Sequence, residues 1–257
     1  MALDHLDEIL DIADAVMVAR GDLGVEIPLE EVPIAQQKII DSALERGMPV
    51  IVATQMLETM TVNPRPTRAE VSDISTAIRQ GATGVMLSGE TASGKYPLKS
   101  VKTMAKIAQS TEEGLDSSNL KPESVNKYRF TRAVAHAGVE LAKMANASRI
   151  LVATERGNAP RLVSLHQPGM PVTAVTNSIE TARKVQILPG IDSIVVEEYE
   201  RGSKTMQNAL SLLVESGGVK PGQKVVAISG SPKAISGLTS TARLYKVSNT
   251  GEIVGTE

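Results

Sequence analysis

The spacing of the short apolar runs constrains this chain more than any other feature of it. Ala15–Ala19, Val50–Ala53 and Gly84–Leu87 are β-rich and nearly all apolar, and they recur about every 34 residues, the length of one strand-plus-helix unit. Runs of this kind suit a parallel sheet buried on both faces. The stretches between them carry helical periodicity. Over Glu30–Arg46, Val32, Ala35, Ile39, Ala43 and Leu44 form one stripe, with Pro33 in the first turn and Gly47 just past the end. Thr67 followed by Glu70 is a capping-box signature for the next helix.

The rhythm then breaks. Roughly 60 residues pass without a strand, including the polar stretch Asp116–Ser124. Further strand runs follow at Arg149–Ala153, Val172–Val175, Ile194–Val196, Lys224–Ile228 and Ala242–Val247. The last two are joined by the Gly/Ser-rich segment Ser229–Thr241, too short for a crossover helix, so antiparallel pairing is expected there. This change of spacing excludes one complete (β/α)8 barrel, although the length and the eight strands invite it. The expected fold is α/β. Residues 1–116 form part of a (β/α)8 barrel with three βα units, 117–126 a linker, and 127–257 an open-sheet α/β domain of about five strands. Three strands cannot close a barrel, so 1–116 is expected to present an open edge and an apolar inner face and to self-associate.

Composition narrows the function. Among 257 residues, 27 Lys and Arg balance 29 Asp and Glu, giving net charge −2 and no electrostatic reason to bind nucleic acid or an anionic membrane. No Trp, one Phe and four Tyr leave an aliphatic core and no base-stacking surface. The absence of Cys removes disulfide and thiolate chemistry and is compatible with a cytoplasmic location. His5, His136 and His166 are scattered, which argues against a His-based metal site. No stretch approaches the ~18 apolar residues of a membrane span. The acidic opening Met1–Glu8 does not read as a signal peptide.

Each early strand ends in a polar cluster: Arg20-Gly21-Asp22 after the first, Thr54-Gln55 after the second and Ser88-Gly89-Glu90-Thr91 after the third. Parallel strands bring such ends to one rim, where barrel active sites form; turn and cap chemistry accounts for the same residue types. Gly21 lets a ligand oxygen approach the backbone. Asp22 is a hard carboxylate suited to Mg²⁺. Thr54 offers a hydroxyl to an anionic substrate. Arg20 serves either as positive charge for that substrate or as a structural ion-pair partner.

The strings MVARGDLGVEIP (Met17–Pro28), ATQMLET (Ala53–Thr59), NPRPTRAE (Asn63–Glu70) and MLSGETA (Met86–Ala92), in this order and spacing, resemble pyruvate kinase. The second half, from Arg132-Ala133-Val134-Ala135 through Ala174-Val175-Thr176-Asn177, resembles the C-terminal regulatory domain of that family. The resemblance implies a cytoplasmic glycolytic enzyme that moves a phosphoryl group from phosphoenolpyruvate to ADP, giving pyruvate and ATP, with Mg²⁺ and K⁺, as a homo-oligomer, a tetramer in the family. It implies that Asp22 is one of two carboxylates on Mg²⁺ and that Gly21 and Thr54 contact the phosphoenolpyruvate carboxylate, Thr54 as the catalytic residue. Arg65 would lie near the subunit interface. The family's second metal carboxylate, a Glu, and its phosphate-neutralising Lys precede the helix with which this sequence opens, as do five barrel strands and the lid domain. The 257 residues by themselves are therefore expected not to turn over substrate. The acidic Asp4, Asp7, Glu8 and Asp11 are no replacement and fit a solvated helix face. The alternative reading is a non-catalytic regulatory or assembly module that binds a phosphorylated effector.

For that effector the sequence offers the loop Thr154–Arg161, with Thr154, Arg156, Gly157 and Arg161 before and into a helix expected to start at Pro160, and the loop carrying Ser229 and Ser231. Glu155 would repel a second phosphate, so a monophosphate is expected to bind better than a bisphosphate. An ordinary strand-to-helix turn explains the first loop equally well.

Overall fold

The computed structural model describes residues 2–115, 129–166, 168–197, 203–230, 239–248 and 253–255. The linker expected at 117–126 and Ser231 lie outside them. Contacts divide the chain into two compact units, Met1–Asp116 and Ser117–Glu257.

In the first unit α1 (Leu6–Ile12) precedes β1 (Val16–Ala19), α2 (Arg20–Glu26), α3 (Val32–Glu45), β2 (Val50–Ala53), α4 (Arg68–Arg79), β3 (Gly84–Met86), α5 (Gly89–Ala92) and α6 (Pro97–Glu113). The strands form a parallel sheet in the order β1-β2-β3, with Met17 opposite Ile51 and Ile51 opposite Gly84. Period-two alternation sorts the side chains. Val18, Val50 and Val52 point into a core with Ile39, Ile40 and Ala43 of α3, Ile74, Ala77 and Ile78 of α4, and Met104 of α6. Each Val, Ile or Met side chain among them contributes about 1.5–3 kcal/mol on burial. Met17, on the opposite face, is 49% exposed. This half-covered inner face is what a barrel fragment of three strands must show.

Local chemistry sets the helix ends. Pro33 sits in the first turn of α3, where its missing N–H costs nothing. Thr67 and Glu70 form the capping box of α4, an arrangement that stabilises a helix by about 1 kcal/mol. Glu70 also accepts from the Thr59 amide at 2.7 Å and the Thr59 hydroxyl at 2.6 Å. Partial burial works to raise the Glu70 pKa, but the Thr59 and Thr67 donors outweigh it and hold the carboxyl below its ordinary range. On α1, Asp7 and Asp11 are largely solvated, as expected, yet both reach Arg46, at 2.9 and 3.2 Å.

The second unit holds α7 (Arg129–Met144), β4 (Arg149–Ala153), α8 (Asn158–Ser164), β5 (Val172–Thr176), α9 (Ile179–Val185), β6 (Ile191–Val195), α10 (Ser203–Glu215), β7 (Lys224–Ser229), β8 (Thr241–Val247) and β9 (Ile253–Gly255). Its sheet runs β6-β5-β4-β7-β8-β9. The first four strands are parallel, and β8 and β9 join antiparallel. The sheet thus has six strands among the described residues, where about five were expected, and the antiparallel pairing of the last two expected strands is present. Ile150, Val152, Ala174 and Val226 face α7, α8 and α9, while Leu151, Val175, Val225 and Ala227 face Met206, Ala209 and Leu210 of α10. Helices on both faces explain the apolar runs of β4 and β7 and the complete burial of β5, Thr173 and Thr176 included.

His166 packs against His136 with ring centroids 5.0 Å apart. Burial first, then the charges of His136, Lys143 and Arg132, push its pKa down from 6.5 to about 4, against the opposing pull of Glu140. A lowered base pKa favours the neutral form in the fold, so the unfolded chain binds the proton more readily. The contribution to stability is complete above about pH 6.5 and lost as pH falls toward 4. Urea denaturation between pH 7 and 4.5 is expected to show this decline in the parent and a shallower one in His166→Asn. Equal slopes would contradict it.

Candidate active site at the strand ends

Because β1 and β2 run parallel with Ala19 opposite Ala53, their following residues emerge at the same edge. There the Gly21 amide donates to the Thr54 hydroxyl at 2.9 Å. Asp22 stands beside it, exposed, in the first turn of α2. A Cβ built on Gly21 would meet Thr54 Oγ1 at 3.6 Å, an ordinary contact. The chain's own packing therefore does not demand glycine at this point.

The residues after β2 are in unusual conformations. Thr54 and Gln55 have φ of 72° and 52°, two of the three non-glycine residues with positive φ among those described. Left-handed backbone costs on the order of 1–3 kcal/mol per residue outside glycine and is worst for a β-branched side chain. Arg20 holds this turn. One of its terminal nitrogens donates to the Thr54 carbonyl at 2.6 Å, and the other lies 2.6 and 2.7 Å from the Asp73 carboxylate oxygens. The structure thus assigns Arg20 an ion pair within the fold, the second of its two expected roles.

Glu90, in sequence only one member of the third polar cluster, is an anchor of the candidate site that sequence reasoning did not single out. It is 1% exposed, and its carboxylate accepts from the Leu57 amide at 2.9 Å and the Ser88 amide at 2.8 Å. It ties the segment after β2 to the one after β3. A lone acid beside glycine, just past a strand end, was the available signal. Asp73 carried none, because it lies 53 residues from Arg20.

In the second unit, Thr154 follows β4 and Ser229 ends β7, the strand beside it. The buried Thr154 hydroxyl accepts from the Gly157 amide at 2.8 Å, and Ser229 Oγ lies 2.9 Å from Thr241 Oγ1. Gly157, at φ 84°, precedes α8, which begins at Asn158 and not at Pro160 as expected. The left-handed glycine turns the chain into the helix two residues early. Arg156 is exposed, and Arg161 lies within α8.

These strand ends sit in a chain whose likeness to known proteins runs nearly its whole length. The family model for the pyruvate kinase barrel domain matches residues 1–101, and that for the pyruvate kinase alpha/beta domain matches residues 132–245. The chain belongs to the pyruvate kinase family. Pyruvate kinase of Clostridium acetobutylicum is 41% identical over 247 residues, 95% of this chain and 52% of that protein. Pyruvate kinase of Staphylococcus aureus strain MRSA252 is 40% identical over 266 residues, 99% of this chain and 45% of that protein. A crystal structure of a pyruvate kinase from Cryptosporidium parvum superimposes with TM-score 0.86 at 34% identity, over 95% of this chain and 49% of that one. The chain spans about half the length of the pyruvate kinases it matches. Its fold is accordingly a partial (β/α)8 barrel followed by an open-sheet α/β domain. No helix among the described residues is long and apolar enough to cross a membrane.

A divalent cation tests the donor set. Among the described residues no group of three or more His, Asp or Glu side chains is placed to hold one. Asp22 offers one hard oxygen, whereas Mg²⁺ takes six ligands. Asp73 is committed to Arg20 and Glu90 to two backbone amides. The described residues therefore do not make a Mg²⁺ site by themselves.

Proposed function

We propose that Gly21, Asp22 and Thr54 form one side of a pyruvate kinase active site for phosphoryl transfer from phosphoenolpyruvate to ADP. The 2.9 Å contact between the Gly21 amide and the Thr54 hydroxyl carries this reading. With its oxygen accepting from the Gly21 amide, the Thr54 hydroxyl keeps its own proton to donate, beside the exposed Asp22 carboxylate, and that O–H suits a substrate carboxylate. Turnover also requires cations that neutralise the moving phosphoryl group and a fuller set of metal ligands. The 257 residues are therefore expected to be inactive alone. A coupled assay of pyruvate formation tests this, with the chain alone and mixed with the N-terminal half of the Clostridium acetobutylicum relative. No turnover alone and turnover in the mixture are expected. Turnover by the chain alone would refute the division of labour.

The second unit supports a regulatory reading as well. From β4 the chain builds outward through β5 and β6, then returns to place β7 on the other side of β4. Ligands of open α/β sheets bind outside the carboxyl ends of the strands at such a switch point. Thr154 and Ser229 stand at those two ends, with Arg156 exposed nearby in sequence. A phosphorylated effector is proposed there, a monophosphate binding better than a bisphosphate because of Glu155. Thermal shift with a sugar monophosphate and a sugar bisphosphate is expected to rank them in that order and to weaken with salt. Stronger stabilisation by the bisphosphate would refute the charge argument.

A further inference from the structure

We propose that the Arg20–Asp73 ion pair is a positioning device, holding the left-handed Thr54–Gln55 turn and through it the Thr54 hydroxyl at the Gly21 amide; this rests on reading Gly21 and Thr54 as substrate contacts. Three elements meet in it. Arg20 opens α2, Asp73 lies on α4, and Thr54 follows β2. The guanidinium spans the gap with two functions at once. Nη1 is fixed by both Asp73 oxygens, which leaves Nη2 aimed at the Thr54 carbonyl at 2.6 Å. Nη2 also lies 3.4 Å from the Gln55 carbonyl. The Arg20 side chain is only 12% exposed, so this is not a loosely held surface pair.

The geometry has a purpose beyond fold stability. A threonine in relaxed extended backbone would continue β2 and direct its side chain elsewhere. A β-branched residue at φ 72° persists only where its surroundings impose it. The planar, forked guanidinium can grip a carboxylate and a carbonyl together, which a lysine ammonium cannot do in the same way. Further along the same segment, the buried Glu90 carboxylate accepts from the Leu57 amide. A cation thus holds the carbonyls of the turn, and an anion holds the amide two residues past Gln55. The result is a hydroxyl whose place at the Gly21 amide is set before any substrate arrives.

The test uses amide hydrogen exchange in the full ¹⁵N-labelled chain, read at Gly21, whose N–H donates to Thr54. Thr54→Val gives the value expected when the acceptor is gone. Arg20→Lys and Asp73→Asn are each expected to speed Gly21 exchange at least tenfold, with amides inside β2 near their parent rates. Gln55→Gly relaxes the strained turn, so Gly21 protection is expected to return when it is combined with Arg20→Lys. Unchanged Gly21 exchange in both single variants would overturn the proposal. So would a uniform acceleration across residues 2–115, the mark of a merely structural pair. Titration of the parent with pyruvate is expected to shift the Gly21 and Thr54 amide resonances. No shift there would overturn the substrate reading alone, because the exchange result decides the clamp separately.

Discussion

Asp22→Asn is expected to lower pyruvate formation by roughly 10²–10³-fold in the chain assembled with the N-terminal half of a relative. Asparagine keeps the shape and a carbonyl oxygen but gives up the charge that a hard divalent cation requires. Neighbouring carboxylates offer little relief, since Asp73 is fixed on Arg20 and Glu90 is buried on two amides. The fold itself has little to lose, because Asp22 is exposed at the start of a short helix. The measurement is kcat at saturating Mg²⁺, with circular dichroism to verify an unchanged fold. Activity within tenfold of the parent would remove Asp22 from the metal site.

Gly138→Val is expected to destabilise the second unit by roughly 2–4 kcal/mol. A Cβ at Gly138 would come within 2.4 Å of Ile228 Cδ1 and 2.8 Å of Ile228 Cγ1. Ile228 is fully buried in β7, and α7 lies directly against it. Alanine at this position would regain about 1 kcal/mol of helix propensity and offset part of the clash. Valine adds two methyl groups and a restricted rotamer, with no such offset. For a unit of this size each kcal/mol lowers the melting temperature by about 2–4 °C, so a loss near 10 °C is anticipated. A loss below about 0.5 kcal/mol would mean that Ile228 repacks freely.

Periodicity made most of the architecture legible. Val50–Ala53 and Arg149–Ala153 stand where their apolar runs predicted: Val50 and Val52 face the helices of the first unit, and Ile150–Val152 are covered on both faces. The failures have physical causes. β6 begins at Ile191, three residues earlier than expected, because Asp192 and Ser193 interrupt the apolar run. Asp192 is tolerated there through its 2.6 Å pair with Arg149 of β4. β9 spans only Ile253–Gly255, too short to show a period. Short α2 and α5 arise from RGDLGVE and GETA, whose Gly and acidic residues read as turn chemistry. For the proposed site, residue type and resemblance named Gly21, Asp22 and Thr54, and the structure brings Gly21 and Thr54 into contact. The left-handed turn was not legible, since Thr and Gln are poor residues for it and its support arrives from Arg20 and Asp73 on distant elements.

The strand order of the second unit also has a consequence on the ribosome. β5 and β6 can join one edge of β4 as soon as they emerge, but the other edge waits for β7. Arg149 pairs with Val225, so about 75 residues of synthesis separate the two. At roughly 5–20 residues per second that edge stays unpaired for several seconds. Ile150 and Val152, buried in the finished sheet, belong to a strand whose edge is open throughout. The nascent chain therefore passes through a partly built sheet, and in that interval another chain, a chaperone or a second copy on the same message can reach β4 before its own partner does.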